Sequence, residues 1–569
     1  MSIMTARHST VIQATRELLD SVPPGSRECM IVGPCAPPDL CGLMEPAVSK
    51  LGPFGTVCVI VSQEGEWCGI PEQLAVLWSE LGLVSVGVLA RSGNGRSETA
   101  VALVRSTYDP IAHARALEQQ GMPNRALSAL DSIESLVNLS VEQTGLIAGE
   151  KLRILHAMTI RENARDLAYT YFAHARKQFQ LAVHPFPQMH LYYRQFAELW
   201  HHLGNDAMAM RLLKSVCHVA PNEESLVLMT RLKPSDAPQP ESESSPIWTG
   251  KKRPPRILVI THDASDYGMD CLYDGLCIVL GKDNVVEYPW KPTLHGHARE
   301  EALNYPCVFE YPGEPLEPAA IEQQLRHGRF DLILFADTVQ MSSEETVRRF
   351  LDAAPDVPVV VYDPWDDCQP FQHVVLEYLG RPSVAAYFKR EMVAGFDYGP
   401  NSFPLPFGYP DRLVPKDIDV PRTHDLFWAG KRIFGTRSLY LDYLQSKGYD
   451  VNRHYSQEDY RKAIATARVG LSFFGFGYDT VRYWELPAHG VMLLAERPPI
   501  RIPHNFVHGE SALFFDDLLE LEERLAYMSS HQDECMEIAR AGAAIFREHH
   551  TASARARQLL GRIESLATW

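Results

Sequence analysis

Several large protein classes are closed to this chain by what its sequence lacks. No apolar run approaches the ~18–20 residues of a membrane-crossing helix. The longest, Leu83–Ala90 and Val491–Ala495, have the length of strands. Basic residues are in deficit: 54 Lys and Arg face 71 Asp and Glu, a formal net charge of −17. A nucleic acid or an anionic membrane surface is therefore not expected as the main partner, since both call for clustered cations. The start, Met1–His8, has no apolar core behind a basic end, so no secretory signal is expected. The 11 cysteines include no CxxC pair, and the six-residue spacing of Cys29, Cys35 and Cys41 suits no common zinc pattern. Reduced thiols in a cytoplasmic protein are the expectation. What remains is 569 residues, 46% hydrophobic, enough for three or four domains at roughly 150 residues each.

The texture changes along the chain. Residues 1–108 carry β-type runs at Cys29–Val32, Thr56–Val61, Val84–Ala90 and Thr99–Val104, with a helix expected over Pro71–Leu81. This reads as a small α/β domain of degenerate Rossmann-like type. Its second half resembles the last part of a Rossmann-type methyltransferase, but no glycine-rich cofactor loop stands by its first strand. Gly93-Asn94-Gly95 reads as a hairpin turn.

Residues 109–232 are helical in pattern. Leu117, Gly121, Ala126, Leu127 and Leu130 make one helix–turn–helix signature, and Ala197, Leu203, Gly204, Ala207, Leu212, Leu213 and Pro221 a second. Both resemble tetratricopeptide repeats, with irregular spacing between them. A further helix, Arg161–Gln180, places Leu167, Tyr171 and Ala175 on one face. Such a segment is either a helical spacer, a surface for a peptide or protein partner, or a route to homo-oligomers. Residues 233–253 are rich in Pro, Ser and charge and read as a linker.

From Arg256 on, strands and helices alternate. Strands are expected at Arg256–Thr261, Asp331–Phe335 and Val357–Tyr362, with helices at Ile321–His327 and Ser343–Ala354. A second set follows: strands Asp425–Ala429, Gly470–Phe474 and Val491–Ala495, helices Thr436–Lys447 and Arg482–Ala488. Continuous β-branched runs between helices imply parallel sheets covered on both faces. Two such lobes, residues 254–408 and 409–569 joined near Pro404–Asp411, describe the GT-B architecture, with ligands in a cleft at the carboxyl ends of the strands.

Specific words stand in the later part: Tyr387–Glu391, Pro404–Gly408, Phe427–Gly430 with Arg437, Arg482–Gly490 (RYWELPAHG), Leu493–Glu496, and Phe546–Thr551 with Arg555. Together, residues 380–560 resemble the CgeB-like branch of GT-B glycosyltransferases, whose second lobe is similar to those of families 1 and 4. The resemblance implies transfer of a sugar from a nucleotide-sugar donor. It assigns Glu485 to the ribose hydroxyls of the donor and marks Arg437 as a family position.

The chemistry of the residues agrees. A diphosphate leaving group needs cations and helix N-termini where no metal serves. Gly430, Lys431 and Arg432 follow the first strand of the second lobe, and Arg437 opens the next helix. Gly475, Gly477 and Asp479 form a loop before Arg482 and Glu485, where backbone N–H groups can approach an anion. Arg482 is either a donor cation or an ion-pair partner of Glu485. In the first lobe Asp363, Asp366 and Asp367 (DPWDD) follow a strand, as do Asp337 and His262, with Asp263 and Asp266 nearby. Asp363, Asp366 or His262 is the expected general base. The aspartates also admit a divalent-metal reading, which the two-lobe pattern disfavours. No metal and no cofactor are expected.

The expected partners are a nucleotide sugar and a protein or glycan acceptor, in the first case a bacterial surface or flagellar protein. The alternatives are a non-enzymatic scaffold with a decayed lobe, a sugar-nucleotide epimerase of the same fold, and a methyltransferase.

Overall fold

The computed structural model describes residues 109–566 except 137–138, 234–244, 251–252, 298–304 and 433, together with four earlier strands. The chain divides into two compact units, 1–154 and 155–569.

In the first unit β1 (Ser26–Gly33) runs parallel to β2 (Leu51–Glu64), and β4 (Arg96–Arg105) lies antiparallel between β2 and β3 (Leu83–Gly93). These are the four expected strands. Gly93 stands opposite Arg96, so β3 and β4 form a hairpin around Asn94–Gly95. That dipeptide and the helix expected over Pro71–Leu81 lie outside the described residues. Helices α1 (Pro110–Gln119), α2 (Pro123–Leu136) and α3 (Val141–Arg161) follow. Asp109 caps α1 through its carboxylate, and the turn to α2 passes through Gly121 at φ 76°, a conformation without steric cost only for glycine. Ala114, Leu117, Ala126 and Leu130 make the buried seam between the two helices. On α3, Glu150 takes ion pairs from both Arg115 and Arg153.

The second unit begins at Leu155 within α3 and continues with α4 (Arg165–Val183), α5 (His190–His202), α6 (Asp206–Val219) and α7 (Glu223–Met229). The α5–α6 turn uses Gly204 at φ 83°, and Asn205 caps α6. The buried stripe of α4 runs through Tyr169, Phe172, Arg176, Phe179 and Val183, whereas Leu167, expected inside, is 40% exposed. The helix turns toward the aromatic rings of the lobes: Tyr169 stacks on Phe396 at 4.3 Å, and Trp200 of α5 stands 6.3 Å from Tyr478.

The first lobe holds a six-stranded sheet, parallel throughout: β5 (Ile257–Ile260), β6 (Val285–Tyr288), β7 (Leu332–Phe335), β8 (Val359–Asp363), β9 (Ala386–Lys389) and β10 (Ser402–Pro404), in the order β10–β9–β8–β7–β5–β6. The strand order reverses between β5 and β7, a point where such sheets open a crevice at their carboxyl ends. Ile257 and Val259 pack with α8 (Tyr267–Leu280) on one face. Leu258 and Ile260 pack on the other with α9 (Pro318–Arg326), α10 (Glu344–Ala353) and α11 (Gln372–Leu379). This alternation is why the strands read as unbroken apolar runs.

The second lobe has four parallel strands in the order β11 (His424–Phe427), β12 (Ala467–Ser472), β13 (Met492–Glu496), β14 (Leu513–Phe515). Around them lie α12 (Arg437–Ser446), α13 (Gln457–Thr466), α14 (Val481–Ala488), α15 (Leu518–Ser530) and α16 (Gln532–His549). Two parallel α/β lobes thus stand where the alternation placed them.

Two boundaries differ from the sequence reading. The last helix, α17 (Ala552–Leu566), leaves the second lobe and packs on the first, where Ala556, Leu559 and Ile563 join the core under α8. Their crossing is so close that a Cβ at Gly275 would lie 2.0 Å from the Ala552 carbonyl oxygen. Second, helices α4–α7 are no separate module, because they share one compact unit with both lobes. Arg211 pairs with Asp516 at 2.7 Å, Ser215 bonds the Tyr440 hydroxyl at 3.1 Å, and His184 bonds Ser438 at 3.2 Å. Most of the expected linker lies outside the described residues, but its end is fixed: Ser245 N–H donates to His504 Nε2 and Trp248 N–H to the Arg557 carbonyl.

No helix among the described residues is long and apolar enough to cross a membrane. Cys217, Cys271, Cys277, Cys307, Cys368 and Cys535 are unpaired thiols.

Candidate functional site

The carboxyl ends of β11, β12 and β13 share one edge of the second lobe, and the loops leaving them bring three charged groups together. After β11 comes the Gly430–Gly435 loop and then α12, opened by Arg437. After β12 comes the Phe473–Thr480 loop and then α14, which carries Arg482 and Glu485. β13 ends in Glu496.

Arg437 is 7% exposed. Its guanidinium donates to the carbonyls of Lys431 at 2.9 Å and Phe473 at 3.2 Å, and its Nε is buried without a partner. Arg482 approaches from α14, and its Nε is likewise buried and unpartnered. A Cβ at Gly430 would lie 3.5 Å from the Arg482 guanidinium, so this glycine leaves the room that Arg482 occupies. Among the described residues neither arginine makes an ion pair with a carboxylate. Burial, and then the neighbouring Arg482, push the Arg437 guanidinium down to about 10. Burial and Arg482 thus act against the Arg437 charge, and the Glu496 carboxylate offsets them in part.

Glu485 lies one turn further along α14 and is 8% exposed. It does not pair with Arg482, which settles one of the two sequence readings of that arginine. Each carboxylate oxygen accepts from a tyrosine: Oε1 from Tyr409 at 3.3 Å and Oε2 from Tyr460 at 2.5 Å. Each oxygen keeps a lone pair for a further donor such as a sugar hydroxyl.

Glu496 closes the site behind Arg437. It accepts from Phe474 N–H at 2.7 Å and from the Thr436 hydroxyl at 3.2 Å, and burial pushes its carboxyl up to about 7. A carboxyl raised in the folded state stabilises the fold below its unfolded pKa, and that stability is lost as the pH rises through about 7. In Glu496→Gln the amide oxygen accepts from Phe474 N–H, the amide nitrogen donates to the Thr436 hydroxyl oxygen in place of the accepted bond, and the side chain cannot ionise. Between pH 4.5 and 8 the unfolding free energy of the wild type should therefore fall relative to this variant, by on the order of 3 kcal/mol. Paired denaturant melts check this, and a difference that does not change with pH contradicts it.

Of the other expected donor residues, Arg432 and Asp479 spend their side chains elsewhere. Arg432 spends its guanidinium on Asp442 and Asn452, and Lys431 extends from an exposed loop with only its carbonyl turned to Arg437. Gly477 and Asp479 belong to a latch between the lobes. Asp479 accepts from Phe407 N–H and from the Trp484 indole, both at 2.6 Å, and burial pushes its carboxyl up to about 7. Glu391 accepts from the N–H groups of Tyr478 and Asp479. Gly477 permits this approach, since a Cβ there would stand 2.2 Å from Glu391 Oε1. Arg390 and Glu391 are thus an interlobe clasp, Arg390 donating to the Asp479 carbonyl at 3.4 Å while it stacks 4.0 Å over Phe407 of its own lobe.

In the first lobe the aspartates are engaged one by one. Asp363 is fully buried and takes Lys389 Nζ at 2.8 Å and the Tyr387 hydroxyl at 2.7 Å. Asp366 pairs with Arg390, and Asp367 accepts from Gln369 N–H. Asp337 closes its own loop by accepting from the N–H and hydroxyl of Ser342. A base needs a free lone pair, and the fully buried Asp363, engaged by Lys389 and Tyr387, does not fit that expectation. Asp366 has one oxygen on Arg390 and a side chain 46% exposed, so it keeps lone pairs open to solvent. His262, at the end of β5, is 4% exposed. Its Nε2 lies 3.3 Å from Asp266 Oδ2, and its Nδ1 is buried without a partner. Burial raises the Asp266 carboxyl, but the His262 hydrogen bond and the Lys291 charge outweigh this and hold it below the usual range. Lys291 itself pairs with Asp270 at 2.6 Å behind the dyad.

Sequence reasoning passed over Tyr409, Tyr460, Arg176 and Gln180. The tyrosines carry no signal beyond their composition. Arg176 and Gln180 left one, two long polar side chains four apart within the apolar stripe of α4. A cavity of about 1000 Å³ in the second lobe opens at the amino ends of β11 and β12 beside Arg422, Arg453 and Arg468, and holds none of the site residues.

Residues 425–561 match a family model described as glycosyl transferase-like, so this part of the chain is a glycosyltransferase-like domain. Comparison with curated proteins gives no match. Among solved structures, HepE from Anabaena in complex with UDP and glucose is 11% identical, with 55% of this chain and 100% of that chain covered at a TM-score of 0.37. Sucrose-phosphate synthase from Thermosynechococcus elongatus is 12% identical, covering 55% and 98% at 0.27. An O-GlcNAc transferase mutant from Thermobaculum terrenum is 12% identical, covering 81% and 93% at 0.25.

Proposed function

We propose that this chain is a GT-B glycosyltransferase that takes a sugar from a nucleotide donor, binding the nucleoside diphosphate on the second lobe. The observation that carries the reading is the pair Arg437 and Arg482, each with a buried Nε that lacks a hydrogen-bond partner, at the starts of α12 and α14 beside Glu485, within the segment that matches the glycosyl transferase-like model. The two guanidiniums stabilise the charge that grows on the diphosphate as the glycosidic bond breaks, a role that a divalent metal fills in other transferases. Glu485 accepts the ribose hydroxyls in place of, or beside, the two tyrosines. The acceptor hydroxyl, on a protein or a glycan, enters from the first lobe and gives its proton to a base there, Asp366 or the His262 ring that Asp266 orients. The CgeB-like words support the same assignment of Glu485 and Arg437.

The test is a panel of nucleotide sugars assayed for nucleoside diphosphate release in EDTA, with and without cell-extract acceptors. One base should be preferred and turnover should survive the chelator. Glu485→Gln should remain folded and weaken binding of that donor by about 1.5–3 kcal/mol, the worth of a charge-assisted hydrogen bond. Unchanged donor affinity in this variant removes the ribose role.

A further inference from the structure

Helix α4 reaches into the loop on which the second lobe's site depends. Gln180, 4% exposed, donates from Nε2 to the carbonyls of Gly475 at 2.9 Å and Phe476 at 3.1 Å. Arg176, also 4% exposed, donates to the Phe476 carbonyl at 2.5 Å and to the Asp366 carbonyl of the first lobe at 3.4 Å, and its guanidinium lies 3.8 Å over the Tyr478 ring. The loop so held is the one beside Arg437: a Cβ at Gly475 would stand 3.1 Å from Arg437 Nη2. A cavity of about 50 Å³ bounded by Arg176, Gln180, Gly435, Thr436 and Glu496 marks where α4 meets the start of α12.

The peptide plane gives these contacts a consequence. In a trans peptide the carbonyl and the following N–H point to opposite sides. Drawing the carbonyls of Gly475 and Phe476 toward α4 therefore turns the N–H groups of Phe476 and Gly477 away from it. No acceptor for either N–H is found among the described residues, although their neighbours Phe474, Gly475, Tyr478 and Asp479 all donate within the protein. The same two contacts remove the negative ends of two peptide dipoles from the approach to Arg437. Successive unused N–H groups next to Arg437 make a concavity suited to phosphate oxygens.

Resting on the donor site proposed above, we infer that Arg176 and Gln180 are positioning residues for the donor diphosphate, so that the helical segment is a working part of the donor site. They touch no substrate. They set the Gly475–Gly477 backbone so that its N–H groups face the phosphates.

The test measures, on the full chain, the affinities of the preferred nucleoside diphosphate and of its monophosphate, by calorimetry. Gln180→Met keeps the volume and removes both donated hydrogen bonds. The expected result is a protein that melts cooperatively, with diphosphate affinity lowered at least fivefold relative to monophosphate affinity. A merely structural role lowers the melting temperature and leaves that ratio unchanged, and this outcome overturns the inference. If Gln180→Met does not fold, Gln180→Glu, of the same shape but with the donor removed, is read by the same ratio. A wild type that binds no nucleoside diphosphate refutes the donor site itself. A wild type that binds, with variants of unaltered ratio, refutes only the role of α4.

Discussion

Replacing Arg482 with alanine is expected to weaken nucleoside diphosphate binding ten- to a hundredfold while leaving the unliganded protein as stable as before, or more so. The two halves of this expectation have one cause. Arg482 stands against Arg437 with no ion pair from a carboxylate to either among the described residues, and its charge adds to burial, the larger cause, in pushing the Arg437 guanidinium down to about 10. Removing it relieves that repulsion in the empty protein. With a diphosphate bound, the same removal deletes a charge-assisted contact worth about 1.5–3 kcal/mol. An ordinary structural arginine behaves in the opposite way, since its loss costs stability first. Melts of the two proteins with and without diphosphate separate the cases. The wild type should gain about 2.7 kcal/mol at a hundredfold excess of ligand over its dissociation constant, and the variant much less at the same concentration. An Arg482→Ala protein that is less stable when empty and binds equally well contradicts the assignment.

The second large effect concerns the front of the chain. The sequence reading treats residues 254–569 as separable, cut off by a flexible linker. The structure reverses that expectation. Shortening the chain to 254–569 uncovers Phe396, Tyr440 and Tyr478, strips the Gly475 and Phe476 carbonyls of their donors, and leaves Asp516 without Arg211. A buried polar group that loses its partner costs about 1–3 kcal/mol, and several are lost together with an aromatic interface. The shortened chain is expected to aggregate or to melt well below the full chain, and to show no thermal shift with nucleoside diphosphate. Size-exclusion chromatography and melts decide the matter. A monodisperse 254–569 fragment that binds diphosphate as the full chain does makes α4–α7 dispensable.

The parallel sheets were legible because strands buried on both faces are written as apolar runs, as in Ile257–Ile260 and Val359–Tyr362, and the observed strands fall within a few residues of the expected ones. Short strands such as β10 and β14, three residues each, leave too little pattern to be read. The positions of Arg437, Arg482 and Glu485 followed from motif words at helix starts, since a helix N-terminus fixes where its first turn points. The partners of charged residues were not legible. Asp363 with Lys389, Arg432 with Asp442, and Asp479 with Phe407 join residues 10 to 72 positions apart in the chain, and only packing decides them. For the same reason the docking of α4 was missed. Its periodicity fixed a stripe, but not which neighbouring surface the stripe would meet.

The central claim is that a nucleoside diphosphate sits at the carboxyl edge of the second lobe, and a crystal structure of the full chain with the preferred nucleoside diphosphate tests it most directly. The account predicts the ribose hydroxyls on the Glu485 carboxylate and the phosphates between the guanidiniums of Arg437 and Arg482, within reach of Phe476 and Gly477 N–H. Electron density for the nucleotide elsewhere, such as in the large cavity beside Arg422 and Arg453, with Arg437 and Arg482 untouched, would contradict it.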